Sequence, residues 1–218
     1  MNISSSKENI LKKIRKALTQ STPLPFPKSE GVSSVYTPST QELEIEFAEQ
    51  FTKLQGRFVF CLDYAEVAAH LSALVVTNQW KNIYCREDAL GKHLTESGFG
   101  AFTSNDLPGC DASVTGCEFL VARTGSLVLS SAQQSGRTTS VYAPVHICVA
   151  GTSQLVYDVR NGLEKMKEKY GAKLPSMISF ASGPSRTADI EKTLVVGVHG
   201  PKEVYVFLVD ETNEEVQA

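Results

Sequence analysis

Apolar and polar residues alternate along this chain in two rhythms. The first rhythm is helical. Ile10, Leu11, Ile14, Ala17 and Leu18 form one stripe at helical spacing, with Lys7, Lys12, Lys13, Arg15 and Lys16 on the other face. Ser5-x-x-Glu8 has capping-box spacing, so the pattern predicts a helix over 5–18. Prolines at 23, 25 and 27 then deny a helix its donors and predict an extended linker over 19–38. A second capping box, Ser39-x-x-Glu42, precedes Leu43, Phe47, Phe51 and Leu54, with Gly56 as the expected C-cap.

From Phe58 strands and helices alternate. Residues 58–62 read as a buried strand, and Asp63-x-x-Glu66 opens a helix to about Thr77. A short strand follows at 82–85 and a short helix at 87–97. The apolar runs 119–122 and 126–129 flank Arg123-Thr124-Gly125 and predict a hairpin. Residues 130–140 read as a loop, 145–149 as a strand, and 154–170 as a helix with Leu155, Val159, Leu163 and Met166 on one face. A strand at 177–180 and a last strand at 203–209 precede a loose acidic tail. This alternation predicts an α/β domain, three-layer α/β/α with a largely parallel sheet, over 39–218, behind an N-terminal helical arm and linker over 1–38.

Composition narrows the function. A formal charge of −3 and a pI near 5.8 argue against a nucleic-acid partner. No apolar run approaches the ~18 residues of a membrane span, and no signal-peptide core is visible, so a cytoplasmic protein is expected. The cysteines at 61, 85, 110, 117 and 148 are odd in number and lack C-x-x-C spacing. They read as buried free thiols, with no metal site in this chain. The basic first helix packs on its own domain or on a second copy, making a homo-oligomer, or else docks on a partner or a membrane surface.

The densest polar chemistry lies in Ile178-Ser-Phe-Ala-Ser-Gly-Pro-Ser-Arg-Thr-Ala-Asp-Ile-Glu191, closed by Gly197-Val-His-Gly-Pro201. Gly183 permits positive φ, Pro184 fixes the next φ, and Ser185 or Thr187 can cap a helical turn favoured by Asp189 and Glu191. A strand ending in glycine, hydroxyls and a helix start forms a pocket for an anion, with Ser182 and Arg186 as donors and His199 and Gly200 opposite. The plainer reading is a turn in which Arg186 pairs with Asp189 or Glu191 at the surface, and a His199 that is an ordinary loop residue. Nucleotide-binding glycine loops are absent. Gly183-Pro-Ser185-Arg-Thr187 approaches the G-x-S-x-G nucleophile pattern with Ser185 and His199 as the pair, but lacks its final glycine.

This signature resembles the C-terminal signature of the LUD-domain family, and more narrowly its lactate-utilization C branch. The resemblance extends through Val114–Leu129 and Ala143–Ile147. It implies a fold like the NagB/RpiA/CoA transferase group and a role in a bacterial L-lactate oxidation system. It adds the Thr124-Gly125-Ser126 turn to the ligand-binding wall. The chain departs from the family pattern with Arg123 before that turn, where an acid is usual, and with Glu118 in place of an aspartate. Fold analogy with CoA transferases makes Glu118 a candidate nucleophile, although their flanking glycines are missing. The related iron–sulfur subunit carries cysteine clusters that this chain lacks. The resemblance therefore implies a subunit without its own redox cofactor, acting with iron–sulfur partner subunits on a small anionic ligand. The alternatives are a stand-alone enzyme for a phosphorylated or CoA-linked substrate, and a ligand-sensing module.

Overall fold

The computed structural model describes residues 5–19, 39, 41–103, 106–187 and 195–211. The chain divides into two units, Met1–Pro38 and Ser39–Ala218. In the first, α1 spans Ser5–Leu18, as its stripe predicts, with Ile10 and Ile14 exposed. The Ser5 cap side chain and residues 20–38 lie outside the described residues.

The second unit begins with α2 (Leu43–Lys53), β1 (Arg57–Cys61), α3 (Tyr64–Asn78), β2 (Ile83–Cys85), α4 (Asp88–Glu96) and β3 (Ala112–Thr115). It continues with β4 (Phe119–Val121), β5 (Ser126–Ser130), α5 (Thr139–Tyr142), β6 (Val145–Gly151), β7 (Leu155–Val156) and α6 (Val159–Tyr170). It ends with β8 (Ile178–Ala181), β9 (Arg186–Thr187), β10 (Val195–Val196) and β11 (Glu203–Val209).

The central sheet has strand order β1-β11-β6-β3-β2, and every pair in it is parallel. Its inner strands β6 and β11 are buried on both faces, which explains their continuous apolar runs. On β6, Val145, Ile147 and Val149 face a core completed by Val67 and Leu71 of α3 and Leu94 of α4. The alternate residues Cys148 and Ala150 face a second core with Phe47 and Phe51 of α2. That core is shared with a smaller sheet, β7-β4-β5-β8, through Leu120, Leu127 and Leu129. The far face of the smaller sheet meets Met166 of α6 through Val121 and Val128. The α/β class with a parallel central sheet holds, and the small sheet is an added layer between α2 and α6.

Local chemistry fixes the element ends. Asp63 Oδ1 accepts from the Glu66 N–H at 2.8 Å, while Glu66 Oε2 accepts from the Leu62 N–H at 2.8 Å, so α3 starts where its box predicts. The box at Ser39 does not form. Ser39 Oγ bonds to the backbone of Gln41, and α2 starts later, from an N-cap Glu42 whose side chain caps nothing. Its end is left-handed at Gln55, with Gly56 N–H donating to the Phe51 carbonyl at 3.0 Å. Gly56 is needed one place later than the turn itself, because a Cβ there would strike the Phe51 ring.

Two predicted elements are corrected. Leu155 belongs to β7, paired in parallel with β4, so α6 starts only at Val159 under an Asp158 cap. Leu163 is exposed, and the inward position is the buried Gly162. No helix starts at Ser185, and the turn that Thr187 would cap, with Asp189 and Glu191, falls on residues 188–194, outside the described residues. Arg186–Thr187 instead pairs antiparallel with Val195–Val196. The Ser185 N–H donates to the Pro201 carbonyl and the Ser185 carbonyl accepts from the Gly197 N–H, both at 2.9 Å. These cross-strand partners claim the backbone that a helix would need.

Candidate functional site

The sequence-derived residues fall into separate neighbourhoods. Thr124 Oγ1 and Ser126 Oγ lie 2.8 Å apart, and Ser126 Oγ lies 2.6 Å from Ser182 Oγ. This hydroxyl chain sits beside the C-terminal end of α2. Gly125, at φ +55°, leaves room for the Phe51 backbone, and Gly183, at φ +79°, leaves room for the Leu54 carbonyl. Arg186 Nη2 donates to that same carbonyl. A guanidinium there complements the negative end of the helix dipole. Pro184 is buried, and Thr187 lies in β9. Asp189 and Glu191 lie outside the described residues.

Ser185 and Gly200 come together at a second place. A Cβ on Gly200 would lie 2.9 Å from the Ser185 Cβ. His199 and Gly200 line a hollow of about 400 Å³ with Tyr142, Pro144, Val198 and Lys202. It lies where β6 and β11 begin, pinned by the Lys202 N–H donating to the Pro144 carbonyl at 2.7 Å. Among the described residues its lining holds an imidazole and an ammonium and no carboxylate.

Glu118 stands apart from both. It is 2% exposed, yet every approach to its carboxylate is taken. Oε1 accepts from Ser130 Oγ at 2.6 Å and Tyr170 OH at 2.7 Å, and Oε2 accepts from Lys169 Nζ at 2.8 Å. Burial favours the neutral acid, but the bonds from Lys169, Ser130 and Tyr170 outweigh it and hold the carboxyl below its ordinary value. The same pairing raises Lys169. This is a carboxylate held charged and fixed between β4, β5 and α6. Arg123, the departure before the turn, is also engaged: its Nε lies 3.0 Å from Oδ2 of Asp158, the cap of α6.

A buried polar seam escaped the sequence reading. On β3 and β6, Ser113, Thr115 and His146 are all buried under the 130–142 segment. His146 Nε2 meets Thr115 Oγ1 at 2.8 Å, and Ser113 Oγ donates to the Thr139 carbonyl at 2.8 Å. At the carboxyl ends of β2 and β3, where the chain leaves towards opposite faces of the sheet, Glu87 Oε2 accepts from the Gly116 N–H at 3.0 Å. Such switch points commonly hold ligands in open α/β sheets. Here the crevice is acidic, with Glu87, Asp88 and Glu96 against Lys92. The sequence signal for it was slight, a lone glutamate after a short strand.

The geometry defines a class first: an α/β protein with a parallel core, a capping small sheet and a cationic hollow at the amino ends of its strands. The chain belongs to the LUD domain family, whose pattern it matches over residues 6–209. It is 33% identical over 175 residues to a lactate utilization protein C of Geobacillus thermodenitrificans, covering 79% of this chain and 71% of that one. It is 31% identical over 140 residues to a lactate utilization protein C of Shouchella clausii, covering 61% of each. Against several other curated relatives it spans about half of their length. The crystal structure of a DUF162 family protein from Deinococcus radiodurans shares the fold, with a TM-score of 0.58 at 21% identity, over 79% of this chain and 99% of that one.

Proposed function

We propose that this protein serves L-lactate utilization, holding a small carboxylate of the lactate–pyruvate type while iron–sulfur partner subunits take up the electrons. The observation that carries this reading is the family match over nearly the whole chain, beside relatives named lactate utilization protein C. Oxidation of a 2-hydroxy acid releases an electron pair and needs an acceptor. The chain's own thiols are poorly suited to hold one. Burial pushes Cys61 and Cys85 up to about 11, so both stay protonated at neutral pH, whereas cluster ligation needs thiolates.

The carboxylate belongs in the His199–Lys202 hollow. Electrostatics favours it over the crevice at Glu87, whose carboxylates repel an anion. Lys202 supplies a point charge, and His199 and the Tyr142 hydroxyl supply donors.

Growth on L-lactate as sole carbon source tests the role. Deleting the gene should abolish that growth, and a pull-down from lactate-grown cells should bring down subunits rich in iron and sulfur. Normal growth of the deletion strain would sink the reading. The hollow has its own test: His199→Ala with Lys202→Ala should remove lactate or pyruvate binding in calorimetry at an unchanged melting temperature. Unaltered binding would move the carboxylate elsewhere.

A further inference from the structure

A third hollow on the second unit fits neither lactate nor any other small anion. It is a groove of about 1020 Å³ between α2 and β1. Its floor is apolar, made of Ile45, Ala48, Phe58 and Phe60. Ile45 is 48% and Phe60 44% exposed, which is high for large apolar side chains that lie together. Its charged residues are all acidic, Glu42, Glu44 and Glu49 on the α2 side and Asp210 and Glu211 after β11, beside the hydroxyls of Thr152 and Ser153. Among the described residues no basic side chain lines it, and at its rim Lys53 Nζ lies 3.8 Å from Oε2 of Glu49. β1 is also the end strand of the central sheet, a position that proteins usually protect.

An apolar floor inside an acidic rim is the complement of a basic amphipathic helix. This chain has one. α1 is about 21 Å long at the standard rise per residue. It presents Ile10 at 58% and Ile14 at 48% exposure, with Lys7, Lys12, Lys13, Arg15 and Lys16 around them. Its only acidic residue is Glu8. The match to the family begins at residue 6, so α1 lies within the region that defines the family.

We infer that the groove is the docking site for α1 of a second copy of this chain. Two copies exchanging helices form a closed, isologous pair, in which both apolar stripes and both grooves are covered. Burial of the isoleucines supplies the affinity, and the charges set the helix orientation and make the pairing sensitive to salt.

Sedimentation velocity on the full chain over a micromolar range tests this. The wild type should sediment as a dimer that weakens as salt rises. Ile14→Asp spoils the helix and leaves the groove intact. Glu44→Lys with Glu49→Lys spoils the rim and leaves the helix intact. All three positions lie on the surface or at its margin, so both variants should keep the wild-type circular dichroism and melting temperature. Each variant alone should dissociate at least about tenfold more readily. An equimolar mixture of the two should recover a heterodimer, since the helix of one fits the groove of the other. A monomeric wild type would overturn the proposal, as would a dimer indifferent to both variants. So would a mixture that stays monomeric while the wild type dimerises, which would mean that the helix and the groove do not pair with each other across the dimer. Binding of the monomeric wild type to anionic vesicles, lost with Ile14→Asp, would assign the helix to a membrane instead.

Discussion

His146 shows what burial does to a titrating side chain. Its ring is fully enclosed, and loss of water pushes it down to about 4 from an ordinary value of 6.5. In the unfolded chain the ring returns to the ordinary value, so between these limits the unfolded state binds more protons. Stability is therefore full above about pH 6.5 and falls as the pH drops towards 4, by roughly 1.4 kcal/mol per unit and about 3 kcal/mol in all. His146→Asn should flatten the decline in denaturant midpoint between pH 7 and 5. An equal decline in the variant would place the sensitivity elsewhere. Gly125 makes a steric case at the same scale. It sits at φ +55°, and a Cβ would come 2.5 Å from the Phe51 amide nitrogen. Gly125→Ala should cost more than about 2 kcal/mol by urea titration. Gly136→Ala, also at positive φ but with open space around it, should cost about 1 kcal/mol. Neither result can be read from one stretch of sequence. The Thr115 partner of His146 is 31 residues away, and the Lys169 partner of Glu118 is 51 away.

Elements obeyed local signals where no distant partner competed. The amphipathic stripe of α1, the Asp63 box of α3 and the hairpin of β4 and β5 all lie where their patterns put them. Ser185 did not start a helix, because Pro201 and Gly197 offer its backbone partners from beyond the segment and Arg186–Thr187 pairs with Val195–Val196. For the same reason the polar residues there spread over two neighbourhoods rather than forming one pocket: the small sheet draws Ser182 towards α2, and the strand pairing draws Ser185 towards Gly200. The start of α6 tests a mixed case. Asp158 Oδ1 accepts from the Arg160 N–H at 2.7 Å while Oδ2 holds Arg123. Asp158→Ala should therefore lose both a cap and a half-buried ion pair, at about 1–2 kcal/mol. Arg123→Ala should lose less, about 1 kcal/mol or under. A double mutant no worse than Asp158→Ala would show that Arg123 acts through that carboxylate.

For the whole second unit, the parallel sheet is one wall shared by two cores. Tyr205, Phe207 and Val209 of β11 face α3 and α4, while Val204, Val206 and Leu208 face α2 and the small sheet. Neither core can open without exposing a face of the same strands, so the unit should unfold in one transition. Two native probes report on the two sides. Trp80, the chain's only tryptophan, packs against the first core, and the thiols of Cys117 and Cys148 lie in the second. Cys61 and Cys85 border the first core, so the labelling needs a variant carrying Cys61→Ser, Cys85→Ser and Cys110→Ser. Its urea transitions, one read by fluorescence and one by thiol labelling, should coincide. Phe51→Ala makes the stronger demand. Phe51 is fully buried in the second core and stacks on Phe47 at 5.4 Å between centroids, so its loss should cost about 3–5 kcal/mol. That cost should appear undiminished in the fluorescence of Trp80, on the opposite side of the sheet. A shift confined to the thiol signal would show that α2 and the small sheet melt on their own, and that the added layer is a separate folding unit resting on the sheet.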